Sequence, residues 1–285
     1  VLLPMHIFRF RKDRKFCLGI ELNSVRYDLS IAAPEFSDIS TWLAVDDPVG
    51  AVLSTLDKIA NFSLEEDVEY CLPLDTQEIW ASGVTYFRSR VARMEESETG
   101  GDFYDLVYEA ERPELFFKSS ASRAVAHSEP VRIRRDSLWN VPEPELVLVL
   151  SKTGKVVGYT IGNDMSSRSI EGENPLYLPQ AKVYDGSCAI GPRIAVNIGD
   201  DGPRAIEMTI TRGGSKMFEG QTSTAQMRRT EEELAEFLFR EMSFNDGVFL
   251  LTGTGIVPPD DFTLASGDIV SISIEGIGTL ENPVA

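Results

Sequence analysis

Three acidic residues between positions 141 and 169, namely Glu143, Glu145 and Asp164, have the type and spacing to bring carboxylates to one point. Glu143 and Glu145 stand two apart in VPEPELVLVL, and successive residues of a strand alternate faces. They therefore share a face with Cα atoms roughly 6.6 Å apart, while Leu146, Leu148 and Leu150 point to the other side. Ser-Lys-Thr-Gly at 151–154 is a turn signal, and a two-residue hairpin loop there puts Asp164 opposite residue 141 or 143. Either choice has the parity of Glu143, so all three carboxylates project from one face. A three-residue loop would break this arrangement. Converging carboxylates with no base between them raise one another's pKa unless a cation or a proton intervenes. All-oxygen ligation by three protein groups suits Mg²⁺ or Mn²⁺, with further positions left to water or to substrate oxygens. The competing reading of the same spacing is a charged solvent face on an edge hairpin, which is common in an acidic chain.

The elements around this hairpin divide the 285 residues in two. Residues 1–72 read as a small α+β domain: strands at 16–22 and 25–29, then a helical stretch at 49–62 with Val52, Leu53, Leu56, Ile59 and Ala60 at helical spacing. From 73 to 285 short β runs dominate, among them 143–150, 155–161, 206–211 and 269–274, bounded by Gly, Pro, Asn and Asp. The fold class is α+β, mostly β. Two helical stretches interrupt the strands. At 231–242, Leu234, Phe237, Leu238 and Met242 form a packing face. At 88–111 a charged run containing Gly100 and Gly101 reads as a surface helix and loop or as a lid over a site.

Composition narrows the function. With 27 Lys+Arg against 45 Asp+Glu, the net charge of −18 argues against a nucleic-acid binder and against docking on an anionic membrane. An anionic substrate would need a local cation. No apolar window is long enough for a membrane span, and the apolar start is too short for a signal peptide, so a cytoplasmic location is expected. Cys17, Cys71 and Cys188 are odd in number and widely spaced, which suggests neither a disulfide framework nor a cysteine zinc site. Only two histidines exist, His6 and His127, which excludes a multi-histidine metal centre. His127, in Ala-His-Ser, is assigned no chemical role.

Ordered motifs fill the second part: Gly83 and Tyr86, PELFFK at 113–118, the Glu-x-Glu-Leu strand at 143–146, GYTIGND at 158–164, Lys182 with Tyr184-Asp185-Gly186, Leu251-Thr252-Gly253-Thr254, and the tail SGDIVSISIEGIGTLENPV. Together they resemble the fumarylacetoacetate hydrolase family. The resemblance implies a mixed β-roll catalytic domain, a Mg²⁺ ion (Mn²⁺ as substitute) held by Glu143, Glu145 and Asp164, and a small anionic substrate bearing a 2-oxo acid or β-diketone. It also implies a homodimer or homotetramer. Hydrolases of the family carry a histidine and a glutamate after the motif tyrosine, whereas Ser89 and Ala92 stand here. Arg112-Pro113-Glu114, the stretch 171–182 and Met227-Arg228-Arg229 are instead similar to the branch that dehydrates 2-keto-3-deoxy sugar acids. Gly255 replaces a proline common in the wider family.

The expected reaction is dehydration of a 2-keto-3-deoxy pentonate to 2,5-dioxopentanoate. Glu114, in an apolar strand, is the expected acid/base residue. Lys182 is expected to neutralise the substrate carboxylate or a developing enolate oxygen. Tyr86, Arg90, Lys118 and Thr254 are expected substrate contacts. A metal-dependent acylpyruvate hydrolase, oxaloacetate decarboxylase or tautomerase, and a non-catalytic 2-oxo acid binding protein, are the alternatives.

Overall fold

In the computed structural model, which describes residues 4–64, 68–89, 91, 106–197, 199 and 202–285, the chain opens with a three-strand meander. Its strands are Met5–Lys12 (β1), Lys15–Leu22 (β2) and Val25–Asp28 (β3). Short helices follow at Leu29–Ala32 (α1), Ile39–Leu43 (α2), Pro48–Leu53 (α3) and Leu56–Ile59 (α4). Asp38 caps α2 and Asp47 caps α3, each accepting from a backbone N–H three residues on. The continuous helix expected over 49–62 is thus two helices. At the break the Ser54 and Thr55 hydroxyls each donate to the carbonyl three residues back, at 2.7 Å, in competition with the helical ladder.

The strands that follow are Tyr70–Cys71 (β4), Glu78–Gly83 (β5), Glu114–Ser120 (β6), Ala124–Val125 (β7), Asn140–Val141 (β8), Pro144–Leu150 (β9), Val156–Asp164 (β10) and Ser166–Ser167 (β11). Helices Arg168–Glu173 (α5) and Leu178–Lys182 (α6) lead to Cys188–Val196 (β12), Ala205–Arg212 (β13) and Ser215–Ser223 (β14). Helix Glu231–Phe239 (α7) precedes Val248–Leu251 (β15), Asp268–Ile274 (β16) and Gly278–Pro283 (β17). α7 ends before Met242, which is exposed. Of the segment 88–111, residues 88–89, 91 and 106–109 are helical, and 90 and 92–105 lie outside the described residues.

One mixed sheet runs β3-β2-β1-β12-β10-β9-β15-β5-β6, with β15 parallel to β5 and β7 parallel to β12. A second, antiparallel sheet runs β14-β13-β16-β17. The large sheet is covered on both faces. Leu146, Leu148 and Leu150 enter a core shared with Met208, Ile210, Val270 and Ile272 of the second sheet and with Leu234 and Leu238 of α7. Val147 and Val149 enter the opposite core, with Trp42 and Leu43 of α2 and Phe249 and Leu251 of β15. Burial on both sides explains why β9 is an uninterrupted Leu-Val run. It also corrects the alternative of a solvent-facing edge hairpin, because β9 lies between β10 and β15.

The division into 1–72 and 73–285 remains our proposal for the chain's organisation. A shared sheet crosses it, since β1 pairs with β12 from Met5 opposite Val196 to Ile7 opposite Ile194.

Candidate active site

The hairpin β9–β10 presents the carboxylates. Its loop is longer than expected: Val156 pairs with Leu150 across residues 151–155, and an irregularity between Val156 and Gly158 shifts the register. The extra residue restores the expected parity. Glu145 lies opposite Gly162, and the Asp164 amide donates to the Glu143 carbonyl at 2.9 Å. Glu143, Glu145 and Asp164 are all buried, and one carboxylate oxygen from each lies within 4.8 Å of the others.

Bases that are distant in sequence join them, so the premise that no base stands between the carboxylates fails in space. The Lys182 ammonium donates to Glu143 Oε2 at 2.6 Å, Asp164 Oδ2 at 3.0 Å and Ser166 Oγ at 2.6 Å. Lys118, fully buried, pairs with Asp164 Oδ1 at 2.6 Å and donates to the carbonyls of Met165 and Lys182. Arg168 Nη2 donates to Glu143 Oε1 at 2.7 Å.

Glu145 differs from its two neighbours. Its carboxylate accepts a hydrogen bond from the Gly253 amide at 2.5 Å. Burial, reinforced by the charges of Asp164 and Glu143, pushes its carboxyl well above the ordinary range despite Lys182 and that amide. A divalent cation beside it would remove the penalty. Three buried carboxylates with oxygen donors only, close enough to share one ion, fit Mg²⁺ or Mn²⁺.

The carboxylates line a cavity together with Glu114, Glu171, Lys182 and Thr254. β6 carries Glu114 opposite Gly83 of β5, where a Cβ would overlap the Glu114 carboxylate. Glycine at 83 therefore makes the space that this side chain occupies. The next residue, Val84, is β-branched yet has φ of 53°, a strained conformation on the cavity wall. Two bonds hold the adjoining chain in place: Thr85 Oγ1 to the Thr252 carbonyl at 2.6 Å, and the Arg228 amide to the Thr85 carbonyl at 2.9 Å.

The expected substrate contacts fare differently. Thr254 lines the cavity, but its hydroxyl is engaged with the Ile256 amide and carbonyl of its own turn. Lys118 is not among the lining residues and braces Asp164 from behind. Tyr86 is also set back from the lining, and its ring occupies the volume beside Gly255, where a Cβ would lie 2.6 Å from Cδ1. That close approach accounts for glycine at 255. Burial and the charges of Glu145 and Glu231 raise the Tyr86 hydroxyl far above its ordinary value. Arg90 lies outside the described residues. His127 is structural, accepting from the Glu281 amide through Nδ1 at 3.1 Å.

Sequence reasoning missed Arg168, Glu171 and Ser166. Arg168 and Glu171 stand three apart, a spacing that puts them on one face of a helix. The short α5 was not anticipated, so the pair was not read.

The chain is similar to several known proteins. A family model described as Fumarylacetoacetate (FAA) hydrolase C-terminal matches residues 79–285. A probable 2-keto-3-deoxyxylonate dehydratase of Haloferax volcanii is 42% identical over 292 residues, covering 98% of this chain and 99% of that one. A 2-dehydro-3-deoxy-D-arabinonate dehydratase of Saccharolobus solfataricus is 45% identical over 223 residues, covering 76% of this chain and 75% of that one. A solved structure of 2-keto-3-deoxy-D-arabinonate dehydratase complexed with magnesium and 2,5-dioxopentanoate superposes with a TM-score of 0.83 at 36% identity, covering 99% of this chain and 98% of that one.

Proposed function

Since the chain belongs to the fumarylacetoacetate hydrolase family, we propose that it is a magnesium-dependent dehydratase converting a 2-keto-3-deoxy pentonate to 2,5-dioxopentanoate. The observation that carries this reading is one cavity in which Glu114 and Lys182 face the buried carboxylates of Glu143, Glu145 and Asp164. Those three residues would hold the ion. Bound there, Mg²⁺ supplies a Lewis acid to the 2-oxo acid end of the substrate.

Lys182, already within 3.0 Å of two of the carboxylates, compensates negative charge developing on the C2 oxygen. Lys118 and Arg168 orient Asp164 and Glu143 from outside the carboxylate cluster. Glu114 takes the C3 proton and passes it to the departing C4 hydroxyl, so that one water leaves. The C3–C4 double bond then adjoins a C5 alcohol: a proton lost from C5 and one gained at C3 give the C4–C5 enol, and loss of its hydroxyl proton with protonation at C4 gives the aldehyde. The hydrolase alternative has less support, because no histidine is among the described residues lining the cavity. The finer setting is proposed with the activity: a homodimer or homotetramer, consistent with the exposed Leu138 and Leu176, and a cytoplasmic location, consistent with three cysteines outside any disulfide.

The test is product analysis by mass spectrometry and NMR, with Mg²⁺ and with chelator, on 2-keto-3-deoxy pentonates, acylpyruvates and oxaloacetate. The expected result is metal-dependent loss of one water from the deoxy-keto acid with an aldehyde signal. Pyruvate from an acylpyruvate or oxaloacetate, with the sugar acids untouched, would overturn the reading.

A further inference from the structure

One more carboxylate of the cavity has no part in the scheme above. Glu171 lies one turn after Arg168 on α5, and both residues are 2% exposed. The Arg168 guanidinium spans two acids: Nη2 is 2.7 Å from Glu143 Oε1, and Nε is 4.0 Å from Glu171 Oε2. One planar group thus stands beside both Glu143 of the carboxylate cluster and Glu171, which lines the same cavity.

We propose that Glu171 is a specificity-determining residue that accepts a hydrogen bond from the terminal C5 hydroxyl of the substrate. This rests on the dehydratase reading. The anionic 2-oxo acid end of such a substrate belongs with the ion and Lys182, and a second carboxylate there would repel it. The remainder of the substrate is neutral and carries two hydroxyls. The C4 hydroxyl leaves and must receive a proton. An ion-paired carboxylate is an acceptor with nothing to donate, so Glu171 suits the hydroxyl that stays. Leu178 and Phe116, which also line the cavity, offer no polar side-chain atom in exchange. A substrate lacking the C5 hydroxyl would leave the buried Glu171 without that donor, and sites built to bind a hydroxyl discriminate strongly for this reason.

The experiment compares 2-keto-3-deoxy-D-arabinonate with 4-hydroxy-2-oxopentanoate, which differs only in lacking the C5 hydroxyl. Wild type, E171A and E171Q are assayed with Mg²⁺. E171A is expected to lower kcat/KM on the pentonate by at least about ten-fold, mostly through KM, and to leave the 5-deoxy compound within about two-fold. E171Q, which keeps one acceptor oxygen and the side-chain volume, is expected to recover part of the loss. Equal losses on both compounds would mean a structural role, and no loss on the pentonate would mean no contact; either overturns the proposal. Calorimetric titration of the two compounds reads the same difference without turnover. A wild type that binds the pentonate but does not dehydrate it therefore overturns the dehydratase reading while still scoring Glu171. A wild type that binds neither compound overturns both.

Discussion

Glu145 bears an electrostatic penalty that its neighbours do not cancel, and the penalty is informative. Its raised carboxyl comes from burial first and from Asp164 and Glu143 second. Without the ion, such a group contributes stability that is fully present below the ordinary carboxylate value and is lost as pH rises through its elevated value. E145Q removes the charge and keeps the shape. In chelator, thermal denaturation should show E145Q more stable than wild type, with a difference that widens from pH 5 to pH 8. With Mg²⁺ the order should reverse, because the variant has lost a ligand. A wild type more stable than E145Q in chelator at pH 8 would contradict this account. The three acids were legible from parity and spacing. Lys118 and Lys182 were named from their motifs, but their pairings with the acids, and Arg168, were not, because Lys118 and Lys182 reach Asp164 from 46 and 18 positions away and nothing local marks such pairings.

The β9–β10 hairpin teaches the same lesson for elements. Its expected two-residue loop is wrong, yet Asp164 lies opposite Glu143 because one irregularity offsets the odd loop length. Alternation along β9 was legible, since each face feeds a different core. The break between α3 and α4 was not, since hydroxyls bonding back to carbonyls leave the apolar pattern intact. Close approach of β5 to β6 gives a test at this scale. G83A would drive a methyl into the Glu114 carboxylate. Overpacking of this kind typically costs about 1–3 kcal/mol. It should also displace the proposed acid/base group, lowering kcat by at least about ten-fold while calorimetry finds Mg²⁺ affinity unchanged. Weakened Mg²⁺ binding in G83A would mean that the two halves of the site are not separable.

At the scale of the molecule, the first strand was missed. Met5–Lys12 mixes basic and apolar residues without regular alternation, and its role emerges only when β12 and β2 flank it. Glu21 on β2 ties this region to β12 through Arg193 Nη1 at 2.5 Å, and within the region it also binds Arg26 Nε at 3.2 Å and the Tyr70 hydroxyl at 3.2 Å. Burial raises the Glu21 carboxyl, but Arg193, Arg26 and Tyr70 together bring it below its ordinary value. Its contribution to stability is therefore present above the ordinary carboxylate value and is lost as pH falls through the depressed one. In urea titrations E21Q should be less stable than wild type at pH 7 by roughly 1–3 kcal/mol, and the gap should close at pH 3. A gap that persists there would mean packing, not charge, joins the two parts. The strand that bears Glu145 has the opposite situation, because β9 has a core on each side. Backbone amides so enclosed open only when the whole domain unfolds. The floor of the site is then the last part of the molecule to exchange with solvent, and an ion held there leaves through the cavity mouth and not through breathing of the sheet.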